Sequence, residues 1–220
     1  MKHQEQITRR PLKSRETKWA KAIAGRLARA GIQPNAISVA GTVFAAGAGV
    51  CFWFAGQSVR DWRLSALLIF AVCGMQLRLL CNLFDGMVAI EGGFKTKAGE
   101  IFNELPDRFS DAFIFIGAAY AVPEFVWTQE LGWAAAVLAV ITAYVRALGA
   151  SMGAGQHFLG PMAKQQRMAT MTAACVIGAL APVWPLAAKI IPLALALAVA
   201  GCVVTIFRRC SRIAREMESK

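Results

Sequence analysis

Long apolar segments constrain the fold of this chain more than any other feature of its sequence. A helix needs about 20 consecutive apolar residues to cross the hydrocarbon core of a bilayer, and several segments reach that length. The composition agrees, because 57% of the residues are hydrophobic and the mean hydropathy is +0.49, well above the range of soluble domains. We therefore expect an integral membrane protein of the all-α class.

Polar turns divide the apolar sequence into six predicted spans, which form one membrane domain over residues 36–207. The spans cover roughly residues 36–55, 62–90, 106–127, 131–152, 168–183 and 186–207. Pro106 is predicted to stand in the first turn of the third helix, where its missing N–H group does not disturb the helix. Residues 182–185, which include two prolines, predict a tight turn between the last two spans.

A basic amphipathic segment, residues 1–35, precedes the spans. A helix is predicted from Glu16 to Ala30. Its apolar face comprises Trp19, Ala22, Ile23, Leu27 and Ala30. A helix of this kind is expected to lie on the cytoplasmic surface of the membrane, and a disordered basic tail is the alternative.

The net charge of +11 is concentrated at the two ends of the chain. Nine of the 24 basic residues lie before Pro34, and five more lie from Arg208 onward. Basic residues that flank membrane spans indicate cytoplasmic ends near anionic lipid, which favours a lipid bilayer over nucleic acid as the partner. Both termini, including a basic tail at residues 208–220, are therefore predicted to face the cytoplasm in a multi-pass protein of the inner membrane.

One polar stretch, from Asn82 to Asp111, lies between the second and third spans. Asn82 and Asp85 are one helical turn apart, and Asn103, Asp107 and Asp111 follow at four-residue intervals, so each set shares a helix face. Such oxygen-bearing side chains suit hard cations such as Mg²⁺ or Mn²⁺. The stretch is therefore predicted to form a metal and phosphate site on the cytoplasmic side, with simple helix capping as the alternative.

The spacing of this stretch resembles the signature of the CDP-alcohol phosphotransferase family, DxxDGxxAR(x)8GxxxDxxxD. Every interval of the signature is kept. The matching residues, in signature order, are Asn82, Asp85, Gly86, Ala89, Ile90, Gly99, Asn103 and Asp107. Asparagine replaces aspartate at two of the four aspartate positions and isoleucine replaces the arginine, so the resemblance is to a divergent subfamily.

The resemblance implies a reaction, and with it a role for each matched residue. A phosphatidyl group would pass from CDP-diacylglycerol to a polar alcohol, with release of CMP, in phospholipid biosynthesis. Asp107 would be the general base that accepts the proton of the acceptor hydroxyl. The implied ligands of Mg²⁺ or Mn²⁺ are Asn82, Asp85, Asn103 and Asp107, and the implied CDP-binding residues are Asn82, Asp85, Gly86, Ala89 and Gly99. A homodimer is also implied.

Four further cations are expected on the same side of the membrane. Arg146, Lys164 and Arg167 are predicted to bind a phosphate on the acceptor, as cations in this region do in family members that use phosphorylated alcohols. Lys164 and Arg167 also fit an ordinary cytoplasmic loop, whereas Arg146 lies within a span, where charge is unfavourable. Arg78, in the second span, is a candidate partner for an acid of the polar stretch.

Other interpretations remain open at this point. If the third helix is shifted by one turn, Asp111 takes the place of Asp107 as the base. The acids available to compensate for the two asparagines are Glu100, Glu104 and Asp111. A catalytically inactive family member that acts as a binding or scaffold protein is the alternative to an enzyme. A small transporter is disfavoured, because the polar residues gather at one membrane face and do not extend through its depth.

Overall fold

Seven α-helices lie within residues 13–59, 61–94, 99–180 and 187–219, which are the residues that this computed structural model describes. They are α1 Lys18–Arg29, α2 Pro34–Gln57, α3 Trp62–Glu91, α4 Gly99–Ala119, α5 Thr128–Ser151, α6 Lys164–Leu180 and α7 Ala187–Glu218, after a 3-10 turn at Lys13–Glu16. The described residues contain no strand, so the predicted all-α class is confirmed. The predicted turn at residues 182–185 lies outside the described residues.

Four of the helices are long and apolar enough to cross a membrane: Pro34–Gln57, Trp62–Glu91, Thr128–Ser151 and the Lys189–Glu218 part of α7. The chain is therefore a multi-pass membrane protein. The other two predicted spans correspond to α4 and α6. Helix α4 carries four charged side chains between Glu104 and Asp111, and α6 has 17 described residues.

Helices α2 to α7 pack as a closed ring in the order α2, α3, α6, α7, α5, α4 and back to α2. The core inside the ring takes side chains from every one of them, among them Phe52, Met75, Phe115, Ala139, Met171 and Leu195. Small residues allow the closest contact, because a Cβ added at Gly117 of α4 would stand 2.4 Å from the Cα of Gly49 in α2. This close approach, typical of helices in membranes, sets the position of α4 beside α2.

Helix α1 packs against the last turns of α3. Ala20 and Ala24 are buried there, and the Trp19 ring meets the Phe84 ring edge-on at 6.1 Å. Trp19 and Ile23, two residues of the predicted apolar face, remain 48% and 36% exposed. The helix therefore buries its small alanines fully against α3 and leaves the larger Trp19 and Ile23 side chains partly exposed.

The predicted start of the third span is wrong. Helix α4 begins at Gly99, so Pro106 lies inside the helix and not in its first turn. An interior proline cannot donate to the carbonyl four residues earlier, yet the helix continues, held beside α2 by a hydrogen bond of 3.3 Å from Thr42 Oγ1 to the Pro106 carbonyl. Packing against α2 therefore outweighs the preference of proline for the first turn of a helix. At the other end of the chain, α7 continues as helix through residues 208–218 of the predicted tail.

Candidate active site

Polar side chains from α2, α3, α4 and α6 meet at one end of the ring, where α2, α4 and α6 begin and α3 ends. They surround a small cavity of about 10 Å³. Its lining residues are Ser38, Gly41, Arg78, Asn82, Asp85, Asn103, Pro106, Asp107 and Ser110. All four residues predicted as metal ligands are therefore in one place.

Asn82 connects the two halves of the signature. Its amide nitrogen donates to both carboxylate oxygens of Asp107, at 3.2 and 3.3 Å, and to Asn103 Oδ1 at 3.4 Å. The side-chain oxygen of Asn82 accepts a hydrogen bond of 3.0 Å from Lys164 Nζ. The opposite orientation of this amide would direct its oxygen at a carboxylate and its N–H groups at an ammonium, so the network determines the orientation.

Lys164, the first residue of α6, reaches the centre of the site. Its ammonium group forms an ion pair with Asp107 Oδ2 as well as the hydrogen bond to Asn82. The sequence predicts Lys164 as a residue for the acceptor phosphate, but not its contact with the signature itself. That contact depends on the packing of α6 against α3, which pairs segments 82 residues apart.

Asp85 has a different environment. Ser38 Oγ donates to Asp85 Oδ2 at 2.7 Å, and the Gly86 N–H group donates to Asp85 Oδ1 at 2.5 Å. Ser38 is not predicted from the sequence, because a serine in the first turns of an apolar helix is also a common packing residue. The available signal is its position, one helical turn after Pro34 at the cytoplasmic end predicted for the first span.

Asp111 lies one turn deeper in the bundle and is enclosed by two arginines. Arg78 Nη2 contacts Asp111 Oδ1 at 2.8 Å, and Arg167 Nη2 contacts Asp111 Oδ2 at 2.5 Å. Arg78 Nη2 also contacts Asp107 Oδ1 at 3.3 Å, so this arginine is a partner of acids in the polar stretch. The cavity is lined by Asp107 and not by Asp111, an arrangement that favours the unshifted register. The side chain of Glu100 lies outside the described residues.

The side chain of Arg167 is buried, whereas its predicted role, binding the acceptor phosphate, calls for an accessible side chain. It is 2% exposed, and its Nη1 atom donates to Thr142 Oγ1 at 3.2 Å and to the Met162 carbonyl at 3.0 Å. With the Asp111 contact, these partners take up both terminal nitrogens. The guanidinium therefore supports the interior of the bundle and does not present itself at the cavity.

Arg146 lies nearer the end of the bundle. Its Nη2 atom contacts Glu104 Oε2 at 2.6 Å and its Nη1 atom contacts Gln156 Oε1 at 3.0 Å. Arg108, one turn along α4, pairs with the same glutamate. The Glu104 carboxylate is therefore held by two guanidinium groups. Arg146 is thus a cation held by an acid that another anion can replace.

The remaining predicted CDP-binding residues lie beside this site. Gly86 is buried and Ala89 is half-buried in the last turns of α3, while Gly99 is the first residue of α4. Ile90, at the position of the signature arginine, is 56% exposed. His157 is not in the cluster, because its Nε2 atom pairs with Glu216 Oε2 of α7 at 2.5 Å.

No protein-family model matches the chain. The chain is, however, 30% identical over 214 residues to the phosphatidylinositol phosphate synthase of Cutibacterium acnes, across 91% of this chain and 96% of that protein. It belongs to the CDP-alcohol phosphotransferase family. The family predicted from the signature is thereby confirmed, whereas the assignment to a subfamily with two asparagines stays a prediction.

Other relatives agree with this membership. The chain is 29% identical over 133 residues to the phosphatidylinositol phosphate synthase of Mycobacteroides abscessus, covering 60% of this chain and 53% of that protein. Its fold is similar to that of Mycobacterium tuberculosis phosphatidylinositol phosphate synthase with CDP-DAG bound, with a TM-score of 0.73 at 21% identity over 90% and 94% of the two chains. The complex of that enzyme with manganese and citrate also has a TM-score of 0.73 at 21% identity, covering 88% of each chain.

Family membership confirms the predicted reaction class. The chain is a metal-dependent transferase of phospholipid biosynthesis, which moves a phosphatidyl group from CDP-diacylglycerol to an alcohol. Its cofactor is Mg²⁺ or Mn²⁺. Membership of this enzyme family favours the transferase over the transporter and the inactive scaffold.

The residues around the cavity fit a divalent ion, although they are poor in carboxylates. Asp85 and Asp107 supply two charges and Asn103 supplies a neutral amide oxygen, which are ligands that Mg²⁺ and Mn²⁺ accept, whereas the Asn82 oxygen already accepts from Lys164. The described part of the chain contains no group of three or more His, Cys, Asp or Glu side chains placed to hold a metal. The cavity of about 10 Å³ is close to the space that one water molecule needs.

Proposed function

We propose that this chain is a phosphatidylinositol phosphate synthase, for which the acceptor alcohol is an inositol phosphate. The match to the Cutibacterium acnes enzyme carries the proposal, because it extends over 91% of this chain and 96% of that relative. The position of Arg146 supports a phosphorylated acceptor. Its guanidinium pairs with Glu104, the neighbour in sequence of the cavity-lining Asn103, and can exchange that carboxylate for a phosphate.

The donor is proposed to bind along the first half of the signature. Asn82 and Asp85 orient the CDP-linked diphosphate together with Asn103 and Asp107. Gly86, Ala89 and Gly99 leave room for the nucleotide to approach the helix backbone, since none has a side chain larger than a methyl group. A bound Mg²⁺ or Mn²⁺ supplies positive charge that polarises the diphosphate.

Asp107 is proposed to act as the general base. It accepts the proton of the acceptor hydroxyl, whose oxygen then forms a bond to the lipid-linked β-phosphorus as the bond from that phosphorus to the CMP oxygen breaks. The Asn82 amide and the Lys164 ammonium hold the carboxylate at the edge of the cavity. A base held in this way can meet the acceptor without reorienting.

The acceptor phosphate is proposed to contact Arg146 and Lys164. Arg167 was predicted in the same role, but its contacts with Asp111, Thr142 and Met162 suit a positioning residue better. It holds Asp111, which in turn holds Arg78 behind Asp107. Arg167 is therefore proposed to act on the site through the buried acid.

The site is proposed to face the cytoplasm in a six-span protein of the inner membrane. Residues 36–207 form the membrane domain, with α4 and α6 as its third and fifth spans, and residues 208–220 extend it as a basic cytoplasmic segment. Within residues 1–35, the uncovered Trp19 and Ile23 side chains of α1 support a position on the membrane surface. A homodimer is proposed from the family resemblance alone.

Purified protein, supplied with CDP-diacylglycerol and Mn²⁺, tests the function. CMP release is measured with inositol phosphate, unphosphorylated inositol, glycerol 3-phosphate or serine as the acceptor. We expect CMP release with inositol phosphate and little with the other three. Release with glycerol 3-phosphate but not with inositol phosphate would contradict the proposed acceptor. No release with any acceptor would contradict the proposed mechanism as well.

A further inference from the structure

The contact between Lys164 and the signature has a consequence for the metal content of the site. Four aspartates at the signature positions would supply four negative charges, which is the charge that balances the two divalent ions of a two-metal site. This chain has only Asp85 and Asp107 at those positions, because Asn82 and Asn103 are neutral. The chain therefore lacks half of the negative charge that a two-ion site requires.

Hydrogen bonds replace one cation at Asp107. Two aspartates side by side need a positive ion between them, but the Asn82 amide donates directly to both Asp107 oxygens, at 3.2 and 3.3 Å. The Lys164 ammonium group then contacts Asp107 Oδ2 and the Asn82 oxygen. An ammonium group thus places a positive charge between these two positions, and Arg78 Nη2, 3.3 Å from Asp107 Oδ1, adds a second one on the same carboxylate.

No cation is in hydrogen-bond contact with Asp85 among the described residues. Among the described residues, its hydrogen bonds come only from neutral donors, the Ser38 hydroxyl and the Gly86 N–H group. The cavity beside it, about 10 Å³, has space for about one ion. A divalent ion at Asp85 is favoured, whereas a second one near Asp107 would meet the positive charge of Lys164.

We propose that Lys164 stands in place of a second divalent ion and that each protomer of this enzyme binds one Mg²⁺ or Mn²⁺. The inference deepens the proposed function, on which its choice of site rests. It also accounts for both asparagines together, since each removes a charge that the missing ion would have balanced. Lys164 would then present a fixed positive charge to the substrate phosphates.

Counting bound Mn²⁺ tests the inference without turnover. Protein in detergent is dialysed to equilibrium against increasing Mn²⁺, and the bound metal per protomer is measured together with the electron paramagnetic resonance spectrum. We expect saturation at one ion and a spectrum of isolated Mn²⁺. Two ions about 4 Å apart, the usual spacing in two-metal sites, would instead give a spin-coupled spectrum. A wild-type count of two, or of zero, would overturn the inference.

A second experiment restores the negative charges that the two asparagines lack. The triple variant Asn82→Asp, Asn103→Asp, Lys164→Met should bind two ions and show the coupled spectrum. Lys189→Met, which removes an exposed lysine of α7 far along the chain, is the matched control and should remain at one ion. A folded triple variant that still binds one ion would show that Lys164 does not occupy the second position.

The two proposals fail in different ways. The metal count uses neither donor nor acceptor, so an incorrect acceptor leaves it unchanged. Two ions in a wild-type enzyme that uses inositol phosphate would overturn the role of Lys164 and retain the function. If the triple variant does not fold, the number of Mn²⁺ ions bound per wild-type protomer still tests the inference.

Discussion

Asp107 and Asp111 are the same type of residue, one helical turn apart on the same face of α4, but they occupy two different layers of the bundle. In the layer at the cavity, Asp107 lies between Asn82 of α3 and Lys164 of α6. In the layer below, Asp111 lies between Arg78 of α3 and Arg167 of α6. The flanking residues are themselves one turn apart on their helices, so the second layer repeats the first with a guanidinium group at both flanking positions.

The difference between the layers lies in what surrounds each carboxylate. Asp111 is 1% exposed and bound on both oxygens by guanidinium groups, while Asp107 is 8% exposed and lines the cavity. A carboxylate tied to two buried arginines is suited to holding helices together, and one facing an amide and a lysine at the edge of a cavity is suited to exchanging a proton. The chemical role follows from the neighbours, since the residue type is the same.

The largest expected effect comes from the cavity layer. Asp107→Asn keeps the shape of the side chain but removes the base, so we expect CMP release to fall by about 10²- to 10⁴-fold. The melting temperature should change much less than the activity, because the site retains hydrogen-bonding groups. Rates of CMP release and thermal unfolding in detergent provide the measurement. An active Asp107→Asn enzyme would show that the base lies elsewhere.

The spacing of the signature allowed the cavity layer to be predicted in part. Helical periodicity places Asn82 with Asp85 and Asn103 with Asp107, because those contacts are local to each helix. The partners from other helices were not predictable in this way. Ser38, and the pairing of Asp111 with Arg78 and Arg167, depend on which helices are neighbours in the ring.

The fold was likewise predictable where it depends on local sequence, and not where it depends on contacts between helices. Apolar length predicted the helices, and α3 follows its predicted bounds to within one residue. Pro106 was misplaced, because a rule about proline in the first turn says nothing of the packing of α4 against α2. On α1, the residues buried most fully against α3 are Ala20 and Ala24, which the predicted apolar face does not include.

A substitution in the deeper layer should lower the stability of the protein more than its activity. Asp111→Asn leaves Arg78 and Arg167 buried without their common anion, and removal of one partner from a buried ion pair destabilises a protein by about 3–5 kcal/mol. We expect a marked fall in melting temperature, with turnover per folded molecule far above that of Asp107→Asn. An Asp111→Asn protein that melts normally but releases no CMP would assign the base to Asp111 and shift the functional register by one turn.

The contacts of a third carboxylate, Asp85, allow a test of whether a neutral hydrogen-bond donor supports the site as much as a charged one. Ser38→Ala removes the 2.7 Å hydrogen bond to Asp85 Oδ2. Loss of such a supporting contact typically weakens metal affinity or activity by about 10- to 100-fold, and we expect a change of that size in the Mn²⁺ titration. Ser58→Ala, at the other end of the same helix, removes a hydroxyl bonded to the Phe54 carbonyl and is the matched control. Equal affinities in the two variants would exclude a role for Ser38.

The smallest effect is expected where α4 reaches the surface of the site. Glu104 stands one turn before Asp107 and pairs with Arg146, but its side chain is 41% exposed. An exposed ion pair contributes about 0.2–1 kcal/mol, so Glu104→Gln should hardly change the melting temperature. Because Glu104 competes with the acceptor phosphate for Arg146, the variant should lower the KM for inositol phosphate, by about fivefold at most. Glu130→Gln, in the exposed first turn of α5, should leave that KM unchanged. A raised KM in Glu104→Gln would mean that the glutamate holds Arg146 in place for the acceptor, and Glu104 would then support a cation at the surface of the site as Asp111 does in the deeper layer.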